Sequence, residues 1–137
     1  MIELICGAKG SGKTKRMIDM ANANIENASG SIVFLSDTDR YMYDIRYQIR
    51  FVNTEKHGIF TEEALLGFIK GILASDHDIE SFYIDGAHRI LKKDVSEMKS
   101  FYDALLAIAR NSQTKFYVAV SKDVEEMPDF LAEYIKG

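Results

Sequence analysis

The chain of 137 residues falls within the range of one domain, and 47% hydrophobic with 28% charged residues is the balance of a globular protein able to bury one core. Its formal net charge of −4 argues against tight non-specific binding of nucleic acid, which rests on many Lys and Arg neutralising phosphates. No apolar run is long enough to span a bilayer, and the single cysteine, Cys6, has no internal disulfide partner, which fits a reducing cytosol.

The opening residues, Met-Ile-Glu-Leu-Ile-Cys, lack the basic stretch and small-residue cleavage site of a signal peptide. With one proline and no linker-like or repeated segment, residues 1–137 read as a single cytoplasmic domain. Residues 2–6 are short, mostly apolar and ended by Gly7, which predicts a buried strand. Cys6 lies in that run, where a small buried residue is a simpler reading than a reactive thiol. Over residues 13–28 apolar side chains recur at helical spacing (Met17, Met20, Ala21, Ile25), and Gly30 lies where a C-cap is expected. Residues 32–35, Ile-Val-Phe-Leu, predict a second buried strand, ended by Ser36, Asp37, Thr38 and Asp39.

Residues 41–45 predict a helical turn and 49–52 a further short strand. A helix is expected over residues 61–73, with Thr61 as N-cap and Ala64, Leu65, Phe68, Ile69 and Ile72 along one side. Residues 82–84 predict another strand, followed by Asp85 and Gly86. A helix over 96–110 carries Phe101, Leu105 and Ile108, with Ser96 as its cap. Residues 116–120 form the last clear strand, and 129–135 a short closing helix after Pro128. Strands apolar throughout, alternating with helices, predict a three-layer α/β/α sandwich around a mainly parallel sheet of about five strands.

The stretch Gly7-Ala8-Lys9-Gly10-Ser11-Gly12-Lys13-Thr14 fulfils the pattern Gly-x-x-x-x-Gly-Lys-Ser/Thr, with a strand running in and a helix running out. Gly7, Gly10 and Gly12 are expected to let the backbone curl with positive φ and bring N–H groups against phosphate oxygens. The helix that follows points its positive end at the same anion. Lys13 can reach the β- and γ-phosphates, the Thr14 hydroxyl can ligate Mg²⁺, and Lys15 adds a further cation in the first turn. Ser81-Phe82-Tyr83-Ile84-Asp85 is an apolar strand ending in an acid, the pattern called Walker B. At the carboxyl end of a neighbouring parallel strand Asp85 can hold the Mg²⁺ water shell; alone, it reads equally as an acid opening a turn.

With both motifs placed, the chain resembles the P-loop NTPase superfamily over nearly its whole length. An extra strand between the two motifs is similar to the RecA-like branch. Asp85-Gly86-Ala87-His88 resembles the Asp-Glu-Ala-His box of helicases and the Asp-Glu-Ala-Gln segment of thymidine kinases, whose core has a similar layout. In both groups the second position is a glutamate that activates the attacking water or hydroxyl, whereas Gly86 has no side chain. One cysteine cannot build the zinc lasso of those kinases. The resemblance implies ATP and Mg²⁺ as ligands, with Lys13 and Asp85 in the triphosphate site. It also implies a small stand-alone bacterial ATP-binding protein that acts as a weak ATPase or nucleotide-dependent switch, in a homo-oligomer or with a protein partner. A nucleotide-stabilised interaction module and a small-molecule kinase are the alternatives. No Asn/Thr-Lys-x-Asp guanine box is present, which leaves ATP as the default.

In some RecA-like proteins the catalytic acid lies at the end of the strand after the first helix, the place held here by Asp37 or, further along, Asp39. A solvated turn is the competing reading for both. His88 reads either as a γ-phosphate sensor or as a partner of loop backbone. Ser121 holds the place of a polar sensor, and Lys122 is expected in solvent unless it reaches a neighbouring subunit's nucleotide. Arg40, Arg46, Arg50 and Arg89 are all candidate arginine fingers, worth ~10³–10⁵ in rate, with nothing to select among them. Tyr41, Tyr43 and Tyr47, interleaved with arginines, either stack on single-stranded nucleic acid or pack a loop onto the sheet edge, and packing is the expectation.

Overall fold

The computed structural model of the chain describes residues 1–136. Six strands form one sheet: β1 (Ile2–Gly7), β2 (Ser31–Ser36), β3 (Arg50–Asn53), β4 (Ile79–Asp85), β5 (Lys115–Ser121) and the two-residue β6 (Ile135–Lys136). Their order is β3-β2-β4-β5-β1-β6, and every strand pair is parallel. The helices are α1 (Lys13–Asn27), α2 (Glu62–Ser75), α3 (Ala87–Leu91) and α4 (Lys99–Arg110). The sheet therefore carries six strands where the apolar runs predict about five, because a two-residue strand has no run to recognise.

Side-chain alternation along each strand divides the core into two faces. Leu4, Val33, Leu35, Phe82, Ile84, Phe116 and Val118 pack with Leu65, Ile69, Phe101 and Leu105 of α2 and α4. Ile5, Phe34, Tyr83, Tyr117 and Ala119 turn the other way, against Met17, Ile18 and Ala21 of α1 and the loop residues Ile45 and Ile49. Burial on both faces explains why the strands are apolar throughout, and each fully buried aliphatic or aromatic side chain contributes about 1.5–3 kcal/mol. The result is an α/β sandwich with α1 on one face and α2 and α4 on the other. No helix among the described residues is long and apolar enough to cross a membrane.

Local signals explain most boundaries, and three differ from expectation. Thr61 does cap α2, its hydroxyl oxygen accepting from the Ala64 N–H at 3.2 Å. Helix α1 instead ends at Ala28 in extended conformation, so Gly30 is not a C-cap. Gly30 lies where a Cβ would collide with the Asp78 carbonyl oxygen, which accepts from the Ser31 N–H. Ser96 does not cap α4: a 3₁₀ turn, Val95–Glu97, comes first and is capped by Asp94. The Asp94 carboxylate accepts from the Ser96 N–H and hydroxyl, which hold its pKa down at about 2. The expected closing helix is a 3₁₀ segment, Asp129–Tyr134, that leads into β6. Five-residue α3, directly after Asp85 and Gly86, is too short to show a helical period and has no counterpart in the sequence reading.

Candidate functional site

The loop from β1 to α1 lies at the carboxyl end of the sheet. Gly10 and Gly12 take φ of 82° and 90°, the left-handed region that disfavours other residues. Gly7, expected to share that conformation, does not. Its lack of a side chain serves a close approach instead, since a Cβ there would collide with Ser11. The loop is tied at both ends: the Gly7 N–H donates to the Lys122 carbonyl at 3.0 Å, and the Ser11 N–H to the Ala8 carbonyl at 3.1 Å. Ala8, Lys9, Gly10, Ser11 and Gly12 are exposed. Gly12, the N-cap of α1, offers no capping side chain, so the first turn presents its N–H groups to whatever fills the cleft.

Lys13 is only 7% exposed and donates from Nζ to the Ala8 carbonyl at 3.0 Å. Burial lowers its pKa, against the opposing pull of the Asp85 charge. The ammonium is thus held beneath the loop by a weak neutral partner that an anion can replace. Lys15 is exposed at the rim and paired with Asp19 at 3.0 Å. Cys6, half-buried, has its thiol pKa raised by that burial, in keeping with a packing role.

Opposite Lys13, the Thr14 hydroxyl donates to Asp85 Oδ2 at 3.1 Å. The strand of Asp85 does not neighbour β1 as the motif reading assumes: β5 lies between them. The two residues meet because α1 packs across β1, β5, β4 and β2, carrying Thr14 over the intervening strand. The Asp85 side chain is 3% exposed, and burial raises its pKa despite Arg89 and the Thr14 bond. A hydroxyl and a carboxylate are hard oxygen donors, suited to a divalent cation that keeps most of its own water. No group of three or more His, Cys, Asp or Glu that could hold a metal occurs among the described residues.

Asp37 stands one residue beyond Ser36, which pairs in register with Asp85. Both its carboxylate oxygens accept from Arg89: Nε at 3.1 and 3.0 Å, Nη2 at 2.9 Å. Arg89 Nη2 also lies 3.7 Å from Asp85 Oδ2, and the Asp37 bonds raise the Arg89 pKa. Gly86 makes this crossing possible. Its φ is 89°, and a Cβ there would stand 2.5 Å from Arg89 Nη2 and 2.8 Å from Asp37 Oδ1. His88 has a buried Nδ1 without a hydrogen-bond partner, so it does not satisfy loop backbone through that atom. Burial, then the Arg89 and Lys13 charges, lowers its pKa.

A cleft of about 520 Å³ is lined by Lys9, Gly10, Lys13, Thr14, Asp85, Arg89 and Ser121 together with Thr38, Arg40 and Tyr41, while Asp37 lies outside it, behind Arg89. A larger cavity, about 710 Å³, lies at the other end of the sheet between α2 and α4, lined by Leu73, Ala104 and Ile108. The chemistry gathers in the smaller cleft, where loop glycines, a buried lysine and a buried acid converge.

The remaining candidates separate on position. Arg46 pairs with Glu26 at 2.9 Å and Arg50 with Asp76 at 2.8 Å, both away from the cleft. Arg40 stacks over the Tyr41 ring, 5.3 Å from its centroid. Asp39 pairs with Lys56 and accepts from Asn53 Nδ2 at 3.1 Å. Lys122, expected in solvent, instead donates to Asp94 at 3.2 Å while its carbonyl anchors Gly7. The tyrosines are not packed as a group. Tyr41 is partly buried against the α1-side core, but Tyr43 and Tyr47 are 91% and 92% exposed. What the residues alone did not reveal is the pairing of Arg89 with Asp37; its one signal is a glycine one helical turn before an arginine. Comparison with protein-family models gave no match, and comparison with curated proteins gave none either.

Proposed function

We propose that the chain binds Mg²⁺ and a nucleoside triphosphate, ATP by default, over residues 7–14, as a member of the P-loop NTPase superfamily with a RecA-like core. It acts as a weak ATPase or a nucleotide-dependent switch, in an oligomer or with a larger partner. The observation that carries this reading is the 3.1 Å contact between Thr14 and Asp85, beside a loop whose Gly10 and Gly12 adopt positive φ. Lys13 exchanges the Ala8 carbonyl for β- and γ-phosphate oxygens, and the open first turn of α1 receives the same anion. Thr14 and Asp85 hold Mg²⁺, which neutralises charge on the phosphates when bound. A strand between the two motif strands supports the RecA-like assignment.

Slow turnover follows from the absence of a carboxylate at Gly86, where the resembled families carry the activating glutamate. The same absence favours, as a second reading, a non-catalytic module in which nucleotide supplies stability, about 2.7 kcal/mol at a hundred times Kd. Phosphate release from Mg-ATP, measured across protein concentrations with Lys13→Ala as background, separates these. A rise steeper than linear marks an ATPase completed by a subunit contact, and a linear rise a self-sufficient site. Nucleotide-dependent melting without phosphate release marks the module. An unchanged melting temperature together with no release sinks nucleotide binding altogether.

A further inference from the structure

Of the four arginines that compete as fingers, Arg89 alone joins the cleft wall to an ion pair with a candidate acid. We propose that Arg89 is a γ-phosphate sensor: it rests on Asp37 in the absence of a triphosphate and transfers to the terminal phosphate when one is bound. This inference rests on the nucleotide reading above.

The guanidinium sits between two carboxylates, 2.9 Å from Asp37 Oδ1 and 3.7 Å from Asp85 Oδ2. Its side chain is 42% exposed, so it is free to swing toward the cleft without unpacking the core. A cation on Thr14 and Asp85 removes the second attraction, and a phosphate offers the planar fork the same bidentate match as the carboxylate it leaves, with more charge. A diphosphate bound through Lys13 and the loop leaves nothing at the position of the third phosphate. Arg89 then stays on Asp37, and affinity does not gain from it.

Gly86 belongs to the same device. Any side chain there meets Arg89 Nη2 and Asp37 Oδ1, so the glycine that replaces the resembled families' glutamate is the opening through which the arginine reaches both positions. The transfer leaves Asp37 without its cation.

The test is calorimetric binding of Mg²⁺ with AMP-PNP, a non-hydrolysable triphosphate, and of Mg²⁺ with ADP. It compares wild type, Arg89→Ala, Arg89→Lys and Asp37→Asn, each checked by a thermal melt. Wild type is expected to prefer the triphosphate. Arg89→Ala loses that preference, binding AMP-PNP roughly ten- to hundred-fold more weakly with ADP affinity unchanged, the scale of a lost charge-assisted hydrogen bond. Arg89→Lys keeps part of it, having charge without the fork. Asp37→Asn, a near-isosteric change that holds even if the Arg89 variants unfold, weakens the resting pair and raises the preference. A triphosphate-to-diphosphate ratio unchanged in Arg89→Ala, or equal losses for both ligands in Asp37→Asn, overturns the sensor. Wild type that binds neither nucleotide fells the nucleotide reading itself, and the sensor with it.

Discussion

Arg89 grips both carboxylate oxygens of Asp37 across the open face of Gly86 through hydrogen bonds of 2.9, 3.0 and 3.1 Å. One strand pairing and two local facts place them there. Parallel pairing of β2 with β4 sets Ser36 beside Asp85 and so delivers Asp37 to the same corner. The left-handed Gly86 starts α3 directly after Asp85. One helical turn then brings Arg89 back over the glycine. Two acids at adjacent strand ends repel, and the single guanidinium offsets that repulsion.

Gly86 is therefore expected to resist substitution. Gly86→Ala forces a Cβ into positive φ and against Arg89, at about 1–2 kcal/mol for the backbone alone. Gly86→Glu suffers the same strain and displaces the ion pair, so it is expected to lower stability without raising phosphate release. Urea unfolding and a turnover assay on the two variants check this; a faster, equally stable Gly86→Glu protein contradicts it.

The raised pKa of Asp85 has a sign that can be measured. Burial favours the protonated acid in the folded chain, so this group's contribution to stability is fully present at low pH and is lost as pH rises through the raised value. At neutral pH, without nucleotide or Mg²⁺, Asp85→Asn is expected to melt at a higher temperature than wild type. It should also lose any Mg²⁺-dependent gain from ATP. A lower melting temperature would mean that the Arg89 and Thr14 contacts outweigh burial.

Lys13 presents a related balance, since its burial disfavours the charged ammonium on which the proposed nucleotide site relies. Lys13→Ala is expected to weaken triphosphate binding by about 1.5–3 kcal/mol, the range for a hydrogen bond to a charged group. Titration calorimetry measures it directly, and an affinity equal to wild type removes Lys13 from the site.

The exposed tyrosines supply a contrast with the core. Tyr43→Ser and Tyr47→Ser are expected to change stability by no more than about 0.5 kcal/mol, as surface positions do. Phe82→Ala, at a fully buried position on the α2 and α4 face, is expected to lose about 3–5 kcal/mol. Urea midpoints of the three proteins test both statements, and a large loss at Tyr43 or Tyr47 would reveal packing that the fold does not show.

The parts of this site that could be read in advance are those written in adjacent residues. Gly10, Gly12, Lys13 and Thr14 act within one turn of chain, and their types alone state where φ turns positive and where the helix starts. Asp85 was legible as a strand-ending acid. Its approach to Thr14 was not, because 71 residues separate them and strand order decides the distance. Asp37 read as a free acid or a solvated turn for the same reason: its partner lies 52 residues away. Tyr43 and Tyr47 misled, since aromatic type is a weak guide to burial when two isoleucines, Ile45 and Ile49, already anchor the loop.

By itself the sequence determined the five longer strands, the helices α1, α2 and α4 to within a turn, the double-sided burial of the sheet and the positive φ of Gly10 and Gly12, because hydrophobic period, Thr61 capping and glycine φ are settled within a few residues. Only the tertiary structure decided that β5 stands between β1 and β4, that α1 carries Thr14 across it to Asp85, and that Arg89 holds Asp37 over Gly86. Those relations depend on which strands pair and which face each helix covers, and such contacts are selected by the packing of the whole core rather than by any local pattern.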